Sequence, residues 1–424
     1  MHLLGPGIGR HLWRIISGEF GTDNNPLYLD VSQRQLLGTR IAASRSLIPS
    51  SFAGDCGNIS HQSSFFRAVD WIHFVRYIVP TVLLEFYNDA DTRNALIDLA
   101  NIYHYAFSRE LKVIQLHELK ITSISFTSWL QGNVDQGHIS PLVFTPNLHY
   151  VSHLYKYIER VGPLSYVAAF AMERAIGVLK RHMNSTRDPG TNAGNVVIDL
   201  AAVRRRKRHQ SNVDDDDQDN HEQVDAATIR RSNVISVSDD DDSPEIWGPF
   251  AEDTVRNLNC HSYLRDFWAW RNGSYSGVSI AMDERLDTGS WLFKNKVTYG
   301  GSDKESFVVL HLWVDENRQN HTRQAVVPIH HQYFGSIKFF FLHEFRGSRM
   351  LLAFVEVYRT VESDGHYPYM TESGGSKYRV IDIDDIVGFA GRAQGSNTRQ
   401  YIYWNRQNVP PKQDLPLDHE LMYL

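Results

Sequence analysis

The sequence predicts an α+β protein: a mainly helical N-terminal region, a charged linker and a C-terminal antiparallel β-barrel-like domain. Three observations lead there. Apolar residues recur at three- and four-residue spacing over much of residues 1–183, runs of like charge fill 184–245, and from 246 short β-branched and aromatic runs appear between turns. The β-rich region spans 246–410 and a tail 411–424. At 424 residues the chain has room for two or three domains and a sizeable core.

Residues 1–18 read as an amphipathic helix stopped by Gly18. Between 67 and 86 the helical spacing continues with Pro80 as a kink. Asp91 or Thr92 is placed to cap a helix over 93–107, whose buried stripe is Ala95, Leu96, Leu99, Ile102 and Tyr103. A further helix covers about 111–130. Two more fill 145–181, joined at Gly162-Pro163. Within that stretch His149 and His153 stand four residues apart, so one helix face brings both imidazoles to one metal, phosphate or carboxylate. Glu173 follows the apolar run 167–172, where an unpaired carboxylate is costly. Lys156, Arg160, Arg174, Lys180 and Arg181 supply cations for phosphate.

The pattern T-P-N-L-H-x3-H-L, then G-P-L, then A-F-A-M-E-R-x-I-G-x-L-K-R resembles the C-terminal end of the catalytic region of eukaryotic CACTA-type DDE transposases. The N-terminal M-H-L-L and G-R-H-L-W-R-I-I are similar to a segment that usually follows that family's first two aspartates. The resemblance implies an RNase H-like core in which two aspartates and a glutamate hold divalent metal. Glu173 would match the third carboxylate, and His149 and His153 the histidine pair of a zinc site. The helices over 26–130 would match the family's helical insertion; a plain helical bundle fits their periodicity equally. Both catalytic aspartates would precede Met1. No cofactor is then expected for the chain as given, and no transposition, whereas Mg2+ and Zn2+ would serve a complete enzyme whose upstream aspartates exist. One glutamate cannot assemble a two-metal phosphoryl-transfer site.

Residues 184–245 carry the basic block Arg204, Arg205, Arg206, Lys207 and Arg208, and the acidic runs 214–217 and 239–242. Like-charge runs repel and bury no core, so a disordered linker is expected. The basic block reads as a nuclear localisation signal or a phosphate-binding patch. In V-I-S-V-S-D-D-D-D, the apolar Val234, Ile235 and Val237 suit addition to a partner's sheet edge, with Asp239 and Asp240 facing a basic groove. This resembles a SUMO-interacting motif. Ser238 before three aspartates suits an acidophilic kinase.

Strands are expected over 306–314, 326–332, 336–345, 349–360, 378–383 and 400–404, making a barrel or sandwich of five to seven strands. Y-F-G-S-I-K-F-F-F-L-H-E-F-R-G-S-R-M-L-L-A-F-V resembles the core hairpin of the SH3- or BAH-like modules that trail the CACTA catalytic region. His330, His331 and His343 lack cysteine or carboxylate partners at ligand spacing and read as structural.

Composition narrows the function. Two distant cysteines, Cys56 and Cys260, fit a reducing compartment and exclude a zinc ribbon. Arg10 and Arg14 interrupt the N-terminal apolar pattern, so no signal peptide is expected, and no apolar run approaches a membrane span. G-x-S-x-G, the P-loop pattern and H-E-x-x-H are all absent. The expectation is a nuclear, transposase-derived protein that associates non-specifically with DNA, and with SUMO or chromatin proteins, but with no membrane. The alternatives are a truncated transposase and a protein-interaction scaffold without DNA affinity.

Overall fold

A computed structural model describes residues 2–52, 57–167, 176–177, 179–182, 188, 190–198, 202, 234–236, 243–248, 258–272, 277–281, 286–295, 297–315, 328–361 and 367–404. The chain opens in a wide π-type turn over Leu3–Gly9 that runs into helix α1, Arg10–Ile16. This segment is helical as its pattern suggests, but π-type in its first half and buried on more than one face. Leu4, Ile8, Leu12, Trp13, Ile15 and Ile16 are buried, and so is His11. Glycine explains the difference. A Cβ at Gly5 would lie 2.8 Å from the Ala68 carbonyl oxygen, and one at Gly9 would lie 3.0 Å from Trp71 Cβ. The segment is thus pressed against residues 68–71 and buried there. Gly18, at φ +85°, follows the helix as expected.

Helix α2 (Val31–Ser44) starts at a capping box in which Asp30 accepts from Gln33 N and Gln33 accepts from Asp30 N. Short α3 (Ile59–Gln62) leads to α4 (Ala68–His73), whose first turn is held by Asp70 accepting from Arg67 N at 2.8 Å. A second π-type turn, Phe74–Ile78, carries the chain to Pro80, beyond which only a 3-10 turn, Leu83–Phe86, forms. Pro80 ends the helix where a kink was expected; it has no N–H to continue the ladder.

Helix α5 (Ala90–Ala106) buries its whole expected stripe. Its cap is Asp89, which accepts from Thr92 N at 2.8 Å, rather than Asp91 or Thr92 as read from sequence. Helix α6 (Val113–Asp135) packs on α5. The chain then forms α7 (Pro146–Val151), α8 (Leu154–Val161) and α9 (Leu164–Val167), with Gly162 at φ +83° between the last two. The described residues from 2 to 167 hold helices and turns alone.

Most of the segment expected as a disordered linker lies outside the described residues. Residues 190–198 include helix, and strand β1 (Val234–Ser236) pairs with β2 (Glu245–Trp247). Helix α10 (Cys260–Arg271) follows. Then come β3 (Asp287–Gly289), β4 (Trp291–Lys294), β5 (Val297–Gly300), β6 (Phe307–Asp315), β7 (Pro328–Phe345), β8 (Ser348–Tyr358), β9 (Tyr369–Met370), β10 (Ser376–Asp382), β11 (Ile386–Gln394) and β12 (Gln400–Trp404). The two strands expected at 326–332 and 336–345 are one 18-residue strand, β7. Gly335 does not break it. A Cβ there would sit 2.9 Å from the Glu356 carbonyl oxygen on β8, so glycine serves a close approach. The β7–β8 hairpin turns at Arg346 and Gly347, with φ +51° and +80°, in the gap between the strands expected at 336–345 and 349–360.

The strands are antiparallel and form two sheets. One runs β1-β2-β4-β5; the other runs β10-β8-β7-β6-β11-β12-β9, with β3 also paired to β7. Among the described residues the two ends of the larger sheet, β10 and β9, do not pair with each other. Helix α10 covers one face of this sheet, where Trp268 Nε1–H donates to His343 Nδ1 at 2.9 Å, deep in the cluster of Phe267, Phe339 and Phe354. That bond gives His343 the structural role read for it.

One buried cluster crosses from the helical region into the β region, beside others that lie wholly within the β region. Tyr367, Ala393, Tyr401 and Tyr403 belong to the same buried cluster as Leu4, Trp71, Tyr77 and Tyr103. Tyr403 stacks on Tyr77 at 4.7 Å and its hydroxyl lies 3.3 Å from His73 Nε2. Tyr367 Oη meets His104 Nε2. Glu85 ties the seam: it pairs with Arg40 at 2.8 Å and accepts from Ser396 N and the Tyr401 hydroxyl, both at 2.9 Å.

Candidate nucleic-acid interface

Helices α7 and α8 are separated by only Ser152 and His153. Thr145 caps α7, its hydroxyl accepting from Leu148 N, and Pro146 occupies the first turn, where its missing N–H does no harm. Ser152 keeps helical dihedrals and His153, at φ −108° and ψ 0°, makes only a slight offset before α8. Leu148, Val151, Leu154 and Ile158 point inward and are buried. That fixes what points outward: His149, Tyr150, His153, Lys156, Tyr157 and Arg160 are all exposed.

The expected pairing of the two histidines is present. Their rings stand edge to face with centroids 4.7 Å apart. Lys156 and Arg160 continue the same row at the next two turns. Half-buried Tyr155 holds Lys156 and Lys120, whose ammonium groups lie 5.8 and 5.4 Å from its ring centroid. Among the described residues neither Lys156 nor Arg160 forms an ion pair, although exposed Glu159 lies between them in sequence. The surface therefore offers two cations and two imidazoles along one helical row, with two exposed tyrosine rings on the row beside it and exposed Glu159 near its end. Tyr150 and Tyr157 were missed in the sequence reading. Their seven-residue spacing, two helical turns, was the available signal.

The histidine pair does not make a zinc site by itself. Among the described residues no group of three or more His, Cys, Asp or Glu side chains stands where a metal could be held, and two imidazoles fall short of the three or four protein ligands zinc takes. Glu173 and Cys56 lie outside the described residues, as do Arg204, Arg205, Arg206, Lys207 and Arg208. Of the suggested SUMO-binding residues, Val234 and Ile235 are in β1, whereas Val237, Asp239 and Asp240 lie outside the described residues. No helix among the described residues is long and apolar enough to cross a membrane. Comparison with protein-family models, curated proteins and solved structures finds no match to this chain.

Proposed function

We propose that the chain is a transposase-derived nuclear protein that associates with DNA or chromatin through the outer row of α7 and α8, without catalysing strand transfer as given. The observation that carries this reading is the exposed row of His149, His153, Lys156 and Arg160, with Tyr150 and Tyr157 beside it. Cations spaced one turn apart suit backbone phosphates, and exposed rings suit stacking or sugar contact. The CACTA resemblance of 145–181 supports the same assignment, because it falls on this row. In this reading the trailing β-rich region is a partner-binding module of the SH3 or BAH kind, and the Arg204–Arg208 block supplies nuclear import.

An electrophoretic shift series on duplex DNA across salt concentrations tests the reading. The full chain should bind with affinity that falls steeply as salt rises. Replacing Lys156 and Arg160 with alanine should lower the magnitude of the log–log slope by roughly 1.8, about 0.9 for each lost phosphate contact. Absence of salt-sensitive binding would leave the scaffold reading instead.

A further inference from the structure

Strand β11 carries a half-buried guanidinium with no ion-pair partner among the described residues. Arg392 pairs in register with Ile402 on β12, so its side chain rises from the sheet face on which Phe307, Val309, Phe334, Ala390 and Ile402 are buried together. The guanidinium carbon lies over the Phe307 ring, 4.6 Å from its centroid, and that ring stands 6.0 Å from Tyr358. The Arg392 Nε–H is enclosed without an acceptor. Burial pulls its pKa below the ordinary arginine value, against the pull of Tyr358 and Asp303. A desolvated cation without a counter-charge is unfavourable, and an anion brought to it relieves that.

The nearby acids do not fill this role. Glu356, two residues before Tyr358 on β8, pairs with Lys338 at 2.7 Å and accepts from the Tyr358 and Ser376 hydroxyls at 3.0 and 2.5 Å. Asp303, exposed in the turn between β5 and β6, acts on Arg392 through space without forming an ion pair with it. Both acids oppose a dianion, so a carboxylate suits the place better than a phosphate. The planar fork of a guanidinium matches two carboxylate oxygens. The half-buried Tyr358 ring suits an apolar group attached to that carboxylate. Gln400, opposite Gln394 one cross-strand pair further along, also has its buried Oε1 without a hydrogen-bond partner, which suits an N–H on the same ligand.

We propose that Arg392 anchors a binding site for a monocarboxylate carrying an apolar group, with the guanidinium forked onto the carboxylate oxygens and Tyr358 beside the apolar part. A small organic acid and the C-terminal residue of a polypeptide share this chemistry. The site lies on β11 and not on α7 or α8, so it stands independently of the nucleic-acid reading.

Thermal melts of the full chain at fixed ionic strength test it, because a ligand that binds only the folded state raises the midpoint. The probes are benzoate and N-acetylphenylalanine, their neutral counterparts benzamide and N-acetylphenylalanine amide, and inorganic phosphate. Both carboxylates should raise the midpoint saturably, the amides should not, and phosphate should act more weakly. R392Q should weaken benzoate binding about tenfold or more, as loss of a charge-assisted fork predicts. D303N removes the competing acid and should tighten binding by up to about fivefold. A midpoint raised equally by benzamide, benzoate binding that survives in R392Q, or phosphate acting as strongly as benzoate overturns the proposal. Should R392Q fail to fold, a D303N variant that binds benzoate no more tightly than the wild type overturns it instead. With the site upheld, a stronger response to N-acetylphenylalanine than to benzoate assigns it to a chain terminus, and the reverse order to a free acid.

Discussion

Glu85 and His73 show how single side chains hold the helical and β regions together. The Glu85 carboxylate is 11% exposed and its partner Arg40 is 18% exposed, with Arg40 also over the Phe86 ring at 5.3 Å. Glu85→Gln keeps an acceptor for Tyr401 and Ser396 but leaves the guanidinium half-buried without its counter-charge. The expected loss is about 2 kcal/mol, below the ~3–5 of a fully buried pair, read from urea denaturation; an unchanged midpoint would remove Glu85 from this role. His73 is held neutral, its pKa pushed down to about 3 by burial first and by the charge of Arg76, against the pull of Asp70. An unfolded imidazole takes a proton below about 6.5. Stability from neutral His73 is therefore full above that pH and is lost as pH falls toward 3, by up to about 1.4 kcal/mol per unit. Asp385 acts in the opposite sense. Burial, then the neighbouring charges of Asp382 and Asp384, raises its pKa to about 7. The folded chain keeps that proton while an unfolded aspartate loses it near pH 4, so its contribution falls as pH rises from about 4 to 7. The two slopes oppose each other between about pH 4 and 6.5. Asp385→Asn should raise stability at pH 7 and steepen the loss on acidification, measured by denaturation at stepped pH; an unaltered profile would contradict the assignment.

At the scale of elements, α6 has two unlike faces. Leu119, Phe126 and Leu130 are buried, while Val113, Ile114, Ile121 and Ile124 are exposed, Val113 at 86% and Ile114 at 64%. Contiguous exposed aliphatic residues favour aggregation. Replacing Ile114, Ile121 and Ile124 with serine should reduce light scattering on concentration while changing the unfolding midpoint little, because surface substitutions are usually within about 0.5 kcal/mol. A large drop in midpoint would show that the face is packed after all. Elements with clean periodicity were legible in the sequence: the α5 stripe, the β7–β8 turn and β12, whose bounds were read correctly. Strand β11 was not, because Gly388 and Gly391 dilute its β-branched signal. A Cβ at Gly391 would meet the Tyr403 ring at 2.5 Å, so that glycine answers a partner on another strand. Helix α10 escaped because its aromatic residues suit helix and strand alike. On the candidate interface, the His149–His153 pairing followed from spacing, whereas the outward tyrosines depended on which face α6 would cover.

At the scale of the whole molecule, one buried cluster crosses the boundaries read from composition, while three others lie wholly within residues 246–402. Tyr367, Ala393, Tyr401 and Tyr403 complete a cluster otherwise made by residues 4–158. Composition changes where secondary structure changes, but cores are closed by contacts between residues far apart in sequence, and no local pattern records them. The chain should accordingly unfold in one calorimetric transition, and a fragment of residues 1–183 should show the weak tertiary packing of an open core. Two resolved transitions, or a fragment with native near-ultraviolet dichroism, would contradict the shared cluster.

That seam also sets an order of events during synthesis. The first helices leave the ribosome with Trp71, Tyr77 and His73 lacking the tyrosines that cover them, and about 230 residues separate Val167 from Tyr401. At about 5–20 residues per second the wait is roughly 10–50 s. The cluster around the N-terminal helices is thus completed only when β12 arrives.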